Sequence, residues 1–262
     1  MGMLNMRKPI LSLVALLAVA SLVGCQQASG KKEDSKELSK EQIIDKGLQA
    51  FEHLKDGKIK LESKIEREFS EPTSDGDTHV VYTPTFEGSF ELKPVRVRGV
   101  YTNRGMSNEE YYDAFHKYSR PKDSSEWEMF SYSQENKQPI GVNQEAIRFF
   151  QTQKDKFEVT KKKDQYILTY KSKDVNHLLE PNDDVLQGPV PIGVSYSENS
   201  EGSYQIDLIV SKENLTPLGV TYTCTSNSSF AKEKLTCKIT YSKQNTGVQV
   251  EVPEAVEKLG GI

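Results

Sequence analysis

Three cysteines carry the most reactive side chains of this 262-residue sequence. A thiol can act as a nucleophile, bind a metal or form a disulfide, depending on what surrounds it. Cys25 follows an apolar stretch and the small residue Gly24, whereas Cys224 and Cys237 lie in two strand-like segments near the carboxyl terminus. The sequence therefore separates one early cysteine, suited to modification, from an even pair suited to a cross-link.

Cys25 closes a segment with the composition of an export signal. Arg7 and Lys8 supply positive charge, and the uncharged apolar residues 9–22 that follow are too few to span a bilayer as a helix. Leu22-Val23-Gly24-Cys25 resembles the lipobox of bacterial prolipoproteins. That resemblance implies that residues 1–24 are a removable lipoprotein signal peptide and that the Cys25 thiol takes up a diacylglycerol.

The lipobox resemblance implies a lipid-anchored protein on the extracytoplasmic face of the cell membrane, because two acyl chains give stable attachment. Residues 25–39 are small and polar, which predicts a flexible tether before a folded domain at 40–262. Two alternatives stay open for the first segment. It could be a plain secretory signal with an incidental cysteine, or an uncleaved anchor helix.

Cys224 and Cys237 lie in the strand-like runs 218–225 and 234–241. A hairpin centred near Phe230 would place the two residues directly opposite each other, with a spacing that suits a disulfide. We therefore predict a structural disulfide between them. A metal pair or a redox pair is the alternative, but no further cysteine or nearby histidine completes a ligand set.

Catalytic and cofactor motifs do not appear in the sequence, which predicts no metal, no cofactor and no enzymatic activity. Asp75-Gly76-Asp77 is interpreted as a surface turn, because the rest of a calcium loop is missing. The net charge of −4 argues against a nucleic-acid partner, and Lys161-Lys162-Lys163 is interpreted as a solvated turn. An envelope hydrolase remains a third, weaker hypothesis. The histidines are scattered without ligand spacing, at His53, His79, His116 and His177.

The pattern of apolar residues predicts an α+β domain with a large antiparallel sheet that curls and is covered by two or three helices. Ser39 and Gln42 have capping-box spacing and predict a helix over 40–55, and a second helix is predicted from Asn143 to about 154. Alternation from Ile59 to Phe69 predicts a long strand with one buried face. Residues 107–118 fit a helix or a strand. Further predicted elements are strands at 203–211, 218–225, 234–242 and 248–252 and a surface loop at 181–193.

The order of these elements resembles the LolA and LppX type of lipoprotein domain, in particular the lipoproteins of Gram-positive bacteria. The matching segments are LKDGKIKLESKIE (54–66), the aromatic stretch 101–127, NQEAIRFFQ (143–151), IDLIVSKENLTPLGVTYT (206–223) and VQVEVPEAVEKL (248–259). The resemblance implies a half-barrel whose concave face, roofed by helices, encloses an apolar cavity. The cysteine pair and the polar insert near Pro181 depart from the pattern, so the ligand type does not carry over.

Aromatic side chains in the middle of the sequence are the candidates for lining that cavity, with ordinary core packing as the alternative. These residues are Tyr101, Tyr112, Phe115, Trp127 and Phe130. We expect the domain to bind a hydrophobic ligand, such as a lipid or a lipid-linked molecule. The rival expectation is a protein-interaction or envelope-sensing module that binds no small molecule and uses a sheet edge or the loop at 181–193.

Overall fold

The computed structural model describes residues 37–131, 142, 144–173 and 201–260 of the chain. The predicted signal peptide, Cys25, most of the predicted tether, Asn143 and the predicted loop at 181–193 lie outside these residues. The compact unit formed by Leu38–Ile262 contains all the elements discussed below.

In the described part of the chain, one antiparallel sheet of twelve strands and three α-helices form the domain. The helices are α1 (Lys40–Glu52), α2 (Gln144–Thr152) and α3 (Glu254–Gly260). The strands are β1 (Asp56–Phe69), β2 (His79–Tyr82), β3 (Thr85–Leu92), β4 (Val95–Asn103), β5 (Met106–Tyr112), β6 (His116–Pro121), β7 (Glu128–Ser131), β8 (Glu158–Lys161), β9 (Gln165–Ser172), β10 (Glu201–Ser211), β11 (Pro217–Asn227) and β12 (Ala231–Ser242). The predicted α+β class with a large antiparallel sheet is confirmed.

The strand order is β7-β6-β5-β4-β3-β1-β12-β11-β10-β9-β8, so β1 and β12 lie at the centre. β1 is long enough to pair with β12 along its length and, on its other side, first with β3 and then with β2. β7 and β8 end the path. The sheet is therefore open. The first and last strands of the sequence, β1 and β12, pair with each other at its centre.

The sheet has two chemically different faces, which follow from strict alternation in β1. Ile59, Leu61 and Ile65 are buried on what we call the helix face, while Lys58 and Lys60 point to what we call the outer face. Side chains that share a register row lie on the same face, because successive residues of a strand point to opposite sides. The register of each strand pair therefore tells which face a strand residue occupies.

Helices α1 and α2 bury their apolar sides against the half of the helix face formed by β1 and β8–β12. The capping box predicted at the start of α1 is present, with the Ser39 side chain accepting from the Gln42 backbone. A side chain at Gly47 would approach Leu168 to 2.9 Å, so glycine lets α1 lie close to the sheet. The interior beneath these helices is filled with aromatic rings, including the contacts of Phe51 and Phe90 with Tyr241.

Two segments differ from what the sequence pattern left open or predicted. Residues 107–118, which fitted a helix or a strand, form β5, a turn and β6. Residues 248–252 were expected to form a strand but have no strand pairing. Instead, Val250 and Val252, followed by Val256 of α3, pack on the outer face against Tyr111 and Tyr118. We call residues 243–260 the carboxyl-terminal strap.

Candidate functional site

A buried ion pair lies on the helix face of β5 and β6, in the half of the sheet formed by β3–β7. The Lys117 ammonium is 2.5 Å from the Glu110 carboxylate, and their side chains are 23% and 1% exposed. The Tyr112 hydroxyl donates to the other carboxylate oxygen of Glu110. We call Tyr101, Glu110, Tyr112 and Lys117 the Lys117 cluster.

Strand alternation brings the members of the Lys117 cluster together. Glu110 and Tyr112 are two residues apart in β5 and therefore share a face. Tyr112 pairs with Lys117 of β6 on one side, and Tyr101 of β4 pairs with Asn108 on the same face. The Lys117 ammonium lies 5.7 Å from the centre of the Tyr101 ring and 5.6 Å from that of Tyr112. Each aromatic ring thus contributes a cation–π contact to Lys117, while the Tyr112 hydroxyl is hydrogen-bonded to Glu110.

The surroundings of the cluster mix apolar and polar groups. Phe86 contacts Tyr112 edge to face, and the Asn108 amide donates to Ser119 at 3.3 Å. Burial, and secondarily the Glu110 carboxylate, raises the pKa of Tyr101, while a hydrogen bond with Asn103 lowers it. The phenol therefore stays neutral at physiological pH. The arrangement offers an apolar wall with a small number of fixed polar groups, as small-molecule sites usually do.

The structure separates the five aromatic residues that the sequence placed in one cavity. Tyr101 and Tyr112 meet in the Lys117 cluster. Phe130 pairs with Lys117 on the same face but is 46% exposed, and Phe115 is 50% exposed in the turn between β5 and β6. Trp127 packs with residues of the outer face, away from Tyr101 and Tyr112. Glu110 and Lys117 were missed, although assigning 107–118 as strands would have put Glu110 beside Tyr112.

Trp127 belongs to a network of charges on the outer face of β4–β6. The Arg98 side chain donates from Nε and Nη2 to one Glu109 oxygen at 2.9 and 2.7 Å, and Arg120 donates to the other oxygen. Desolvation is the largest single effect on Glu109 and opposes ionisation, but hydrogen bonds from the two guanidinium groups lower the pKa of its carboxyl. The Arg120 guanidinium lies 5.3 Å from the Trp127 ring.

The cysteine pair does not have the predicted geometry. Cys237 pairs with Tyr222, and Cys224 pairs with Leu235, so the two cysteines share the helix face but are offset by two residues. Among the described residues both are buried thiols, and no disulfide joins them. The hairpin pairs one residue earlier than a centre near Phe230 would require, and a diagonal pair lies farther apart than a directly opposed one. The predicted disulfide is therefore not formed in this structure.

Membrane-spanning helices and metal sites have no candidate among the described residues. No helix within those ranges is both long and apolar enough to cross a bilayer. Within the same ranges, His, Cys, Asp and Glu side chains do not form a group of three or more that could hold a metal ion.

Comparison with known proteins assigns the chain to a family. No curated protein matches it significantly. The solved structure of a DUF1329 family protein from Desulfovibrio piger is 9% identical, and the match covers 79% of this chain and 93% of that chain. The TM-score of this match is 0.24. The profile of a family of unknown function, DUF6612, matches residues 39–180, which is more than half of the chain. The chain belongs to the DUF6612 family.

Proposed function

We propose that this protein is an extracytoplasmic lipoprotein whose domain binds an amphipathic hydrophobic ligand, such as a lipid, at the Lys117 cluster. The ligand is bound rather than transformed. The observation that carries the proposal is the Glu110–Lys117 pair, whose partly exposed ammonium lies against the rings of Tyr101 and Tyr112. The resemblance to LolA and LppX domains implies an apolar cavity on a curved sheet, but it does not identify the ligand.

The buried pair is costly for the fold alone. Removing two charges from water costs several kcal/mol per ion, and apolar residues of similar volume often stabilise a protein better. Here Glu110 is satisfied on both oxygens, by Lys117 and Tyr112. A fixed polar group beside aromatic rings is useful for orienting a ligand that has one polar end.

The exposed parts of the cluster define how a ligand would be held. Tyr101, Asn108 and Lys117 are partly exposed, and Phe130 more so. An acyl chain lying on the Tyr101 and Phe130 rings would gain about 25 cal/mol for each Å² of apolar surface that it buries. The Lys117 ammonium and the tyrosine hydroxyls would face its polar end. The Glu110 carboxylate keeps the Lys117 ammonium in place and balances its positive charge.

Anchoring through Cys25 is the second part of the proposal and rests on the lipobox resemblance. Growing the producing bacterium with radiolabelled palmitate should label the protein, and Cys25→Ser should abolish the label and release the protein from membranes. A matched change at a domain cysteine, Cys224→Ser, should leave the label intact. Labelling that persists in Cys25→Ser would refute the anchor.

Ligand binding is tested with cis-parinaric acid, a fatty acid that fluoresces when it is buried. The mature domain carrying Cys25→Ser should enhance its fluorescence with a saturable dose response. Asn108→Trp places bulk on the helix face beside Tyr101 and should weaken the affinity at least tenfold. Thr85→Trp, at an exposed position on the outer face of β3, is the matched control and should bind like the parent protein. Equal binding by both variants, with circular dichroism showing intact folds, would remove the site from consideration.

A protein-interaction module remains the second candidate, because of the edge strand β7. Met129 and Phe130 of this four-residue strand are each 46% exposed, and β7 ends the path of the sheet. Exposed strand edges pair readily with other strands. A photo-crosslinking amino acid at Met129 should then capture one specific protein in living cells, whereas the same probe at Thr223, on a central strand, should not.

A further inference from the structure

We propose that the outer face of β4–β6 carries a second binding site, which accepts a phosphate group. The site is a surface pocket of about 380 Å³ whose lining includes Arg98, Val100, Ser107, Glu109, Arg120 and Lys122. It lies on the opposite side of the sheet from the Lys117 cluster. This inference does not depend on the function proposed there.

The charge balance of the pocket favours an anion. Three cations surround one carboxylate, so Arg98, Arg120 and Lys122 exceed the charge of Glu109 by two. Lys122 forms no ion pair with any residue in the described ranges. A ligand with two negative charges would neutralise the pocket, and a phosphate monoester carries nearly that charge at neutral pH.

Glu109 makes the pocket a prearranged site rather than a loose cluster of cations. Its two oxygens hold Arg98 on one side and Arg120 on the other, which fixes both guanidinium planes. A guanidinium has five N–H donors, so each arginine keeps donors beyond those that Glu109 accepts. Such fixed forks match the tetrahedral oxygens of phosphate.

One further group suits a phosphate oxygen. The Ser107 hydroxyl lies 3.0 Å from that of Thr102, so one of the two can donate into the pocket while accepting from the other. Glu109 and Arg120 lie directly opposite each other on β5 and β6 and already form a complete ion pair. Pairing between these strands therefore does not require the further cations Arg98 and Lys122.

Trp127 supplies a direct readout of the pocket. It is the sole tryptophan of the sequence, and its ring lies against the Arg120 guanidinium. A phosphate group drawn to Arg120 should change the charge next to the indole and so its fluorescence. The protein therefore reports binding without a label.

The experiment titrates the Cys25→Ser protein with inorganic phosphate while sodium chloride keeps the ionic strength constant. A saturable change in Trp127 fluorescence is expected. Arg98→Gln and Lys122→Gln leave the Arg120–Trp127 contact in place and should each weaken phosphate binding about tenfold, as expected for loss of one charged hydrogen bond. Arg148→Gln on α2 and Lys234→Gln on β12 make the same charge changes at exposed positions outside the pocket and should bind like the parent.

A parallel titration with dihexanoyl phosphatidic acid, which is water-soluble, separates two sources of the phosphate group. Tighter binding of this lipid than of inorganic phosphate identifies a lipid headgroup, and equal or weaker binding identifies free phosphate. The proposal is overturned if neither compound changes the fluorescence beyond the sodium chloride control. It is also overturned if the pocket variants and the control variants respond equally.

Discussion

At the scale of single residues, the Glu110–Lys117 pair is a buried charge pair for which we propose a function. The Glu110 side chain is 1% exposed, so its charge depends on Lys117 and Tyr112 for compensation. Burial of an ion pair adds little stability, but removing one partner leaves an uncompensated charge. The two residues should therefore behave as a unit in mutational experiments.

Lys117→Met should lower the free energy of unfolding by about 3 kcal/mol, because it leaves Glu110 buried without its cation. The double change Glu110→Gln and Lys117→Met should recover most of that loss. Urea unfolding of the parent, both single variants and the double variant measures the coupling.

Lys64→Met is the matched control, since Lys64 pairs with Glu66 on the exposed outer face. It should change the free energy of unfolding by no more than about 0.5 kcal/mol. Additive effects of the two changes in the Lys117 cluster would show that Glu110 and Lys117 do not depend on each other.

Cys237 makes stability depend on pH in the alkaline range. Burial raises the pKa of its thiol to about 12, despite hydrogen bonds with Tyr222 and Ser63 that favour the thiolate. In the unfolded chain the thiol ionises near pH 8.5, so the unfolded state binds fewer protons between the two values. This contribution is complete below about pH 8.5 and is lost as the pH rises toward 12.

Stability measured by urea unfolding should therefore fall more steeply between pH 9 and 11 in the parent than in Cys237→Ala. The difference in slope should approach about 1.4 kcal/mol per pH unit for this one group. Thr236→Ala, at the neighbouring position on the other face, should keep the parental slope. Identical slopes in Cys237→Ala and the parent would mean that the thiol is not buried.

At the scale of elements, the pairing of β11 with β12 decides which thiols can be joined. Cys224 lies directly opposite Leu235. In a Cys237→Ala background, Leu235→Cys should therefore form a disulfide with Cys224 on mild oxidation, because directly opposed residues have suitable spacing. Peptide mapping without reductant measures it. Ready oxidation of the native pair, with none in the new one, would instead support a register shifted by two residues.

The carboxyl-terminal strap is held at its start by one carboxylate. The same Asp56 oxygen accepts backbone N–H groups of Thr246, Gly247 and Val248 at 3.0, 3.0 and 2.9 Å. Charge-assisted hydrogen bonds of this kind are stronger than neutral ones. They position the strap so that Val250 and Val256 can cover Tyr111 and Tyr118.

Asp56→Ala should cost about 1–2 kcal/mol of stability, because three N–H groups lose a shared charged acceptor, although only the Val248 donor is partly buried. Hydrogen–deuterium exchange should accelerate in residues 246–256, while α1 stays protected. Asp155→Ala, at an exposed position after α2, should change neither quantity. Unchanged exchange in the strap of Asp56→Ala would show that its apolar contacts suffice.

At the scale of the whole molecule, the sequence predicted elements wherever local chemistry decided them. The capping box at Ser39 was predicted from local hydrogen-bonding residues, and the alternation of β1 and the strands β10–β12 were predicted because their patterns reflect burial against one core. The strap was mistaken for a strand, since alternating valines fit either a ladder or an apolar face. No local signal shows that residues 248–252 cross to the outer face.

The candidate site was only partly predictable for the same reason. Tyr101 and Tyr112 were identified by residue type, but Trp127 faces the other side of the sheet. Which side a side chain takes depends on strand register, and the ambiguous segment 107–118 hid it. The partnership of Glu110 with Lys117 arises from pairing between β5 and β6 and could be recognised only after those strands were assigned.

The most direct test of a ligand-binding lipoprotein domain is native mass spectrometry of the Cys25→Ser protein purified from its own bacterium without detergent. The account predicts one copurified lipid per protein molecule, retained by Thr85→Trp and displaced from Asn108→Trp. Detection of the parent protein only at the mass of the polypeptide, without a bound lipid, would contradict this account. So would a lipid that remains bound equally to both variants.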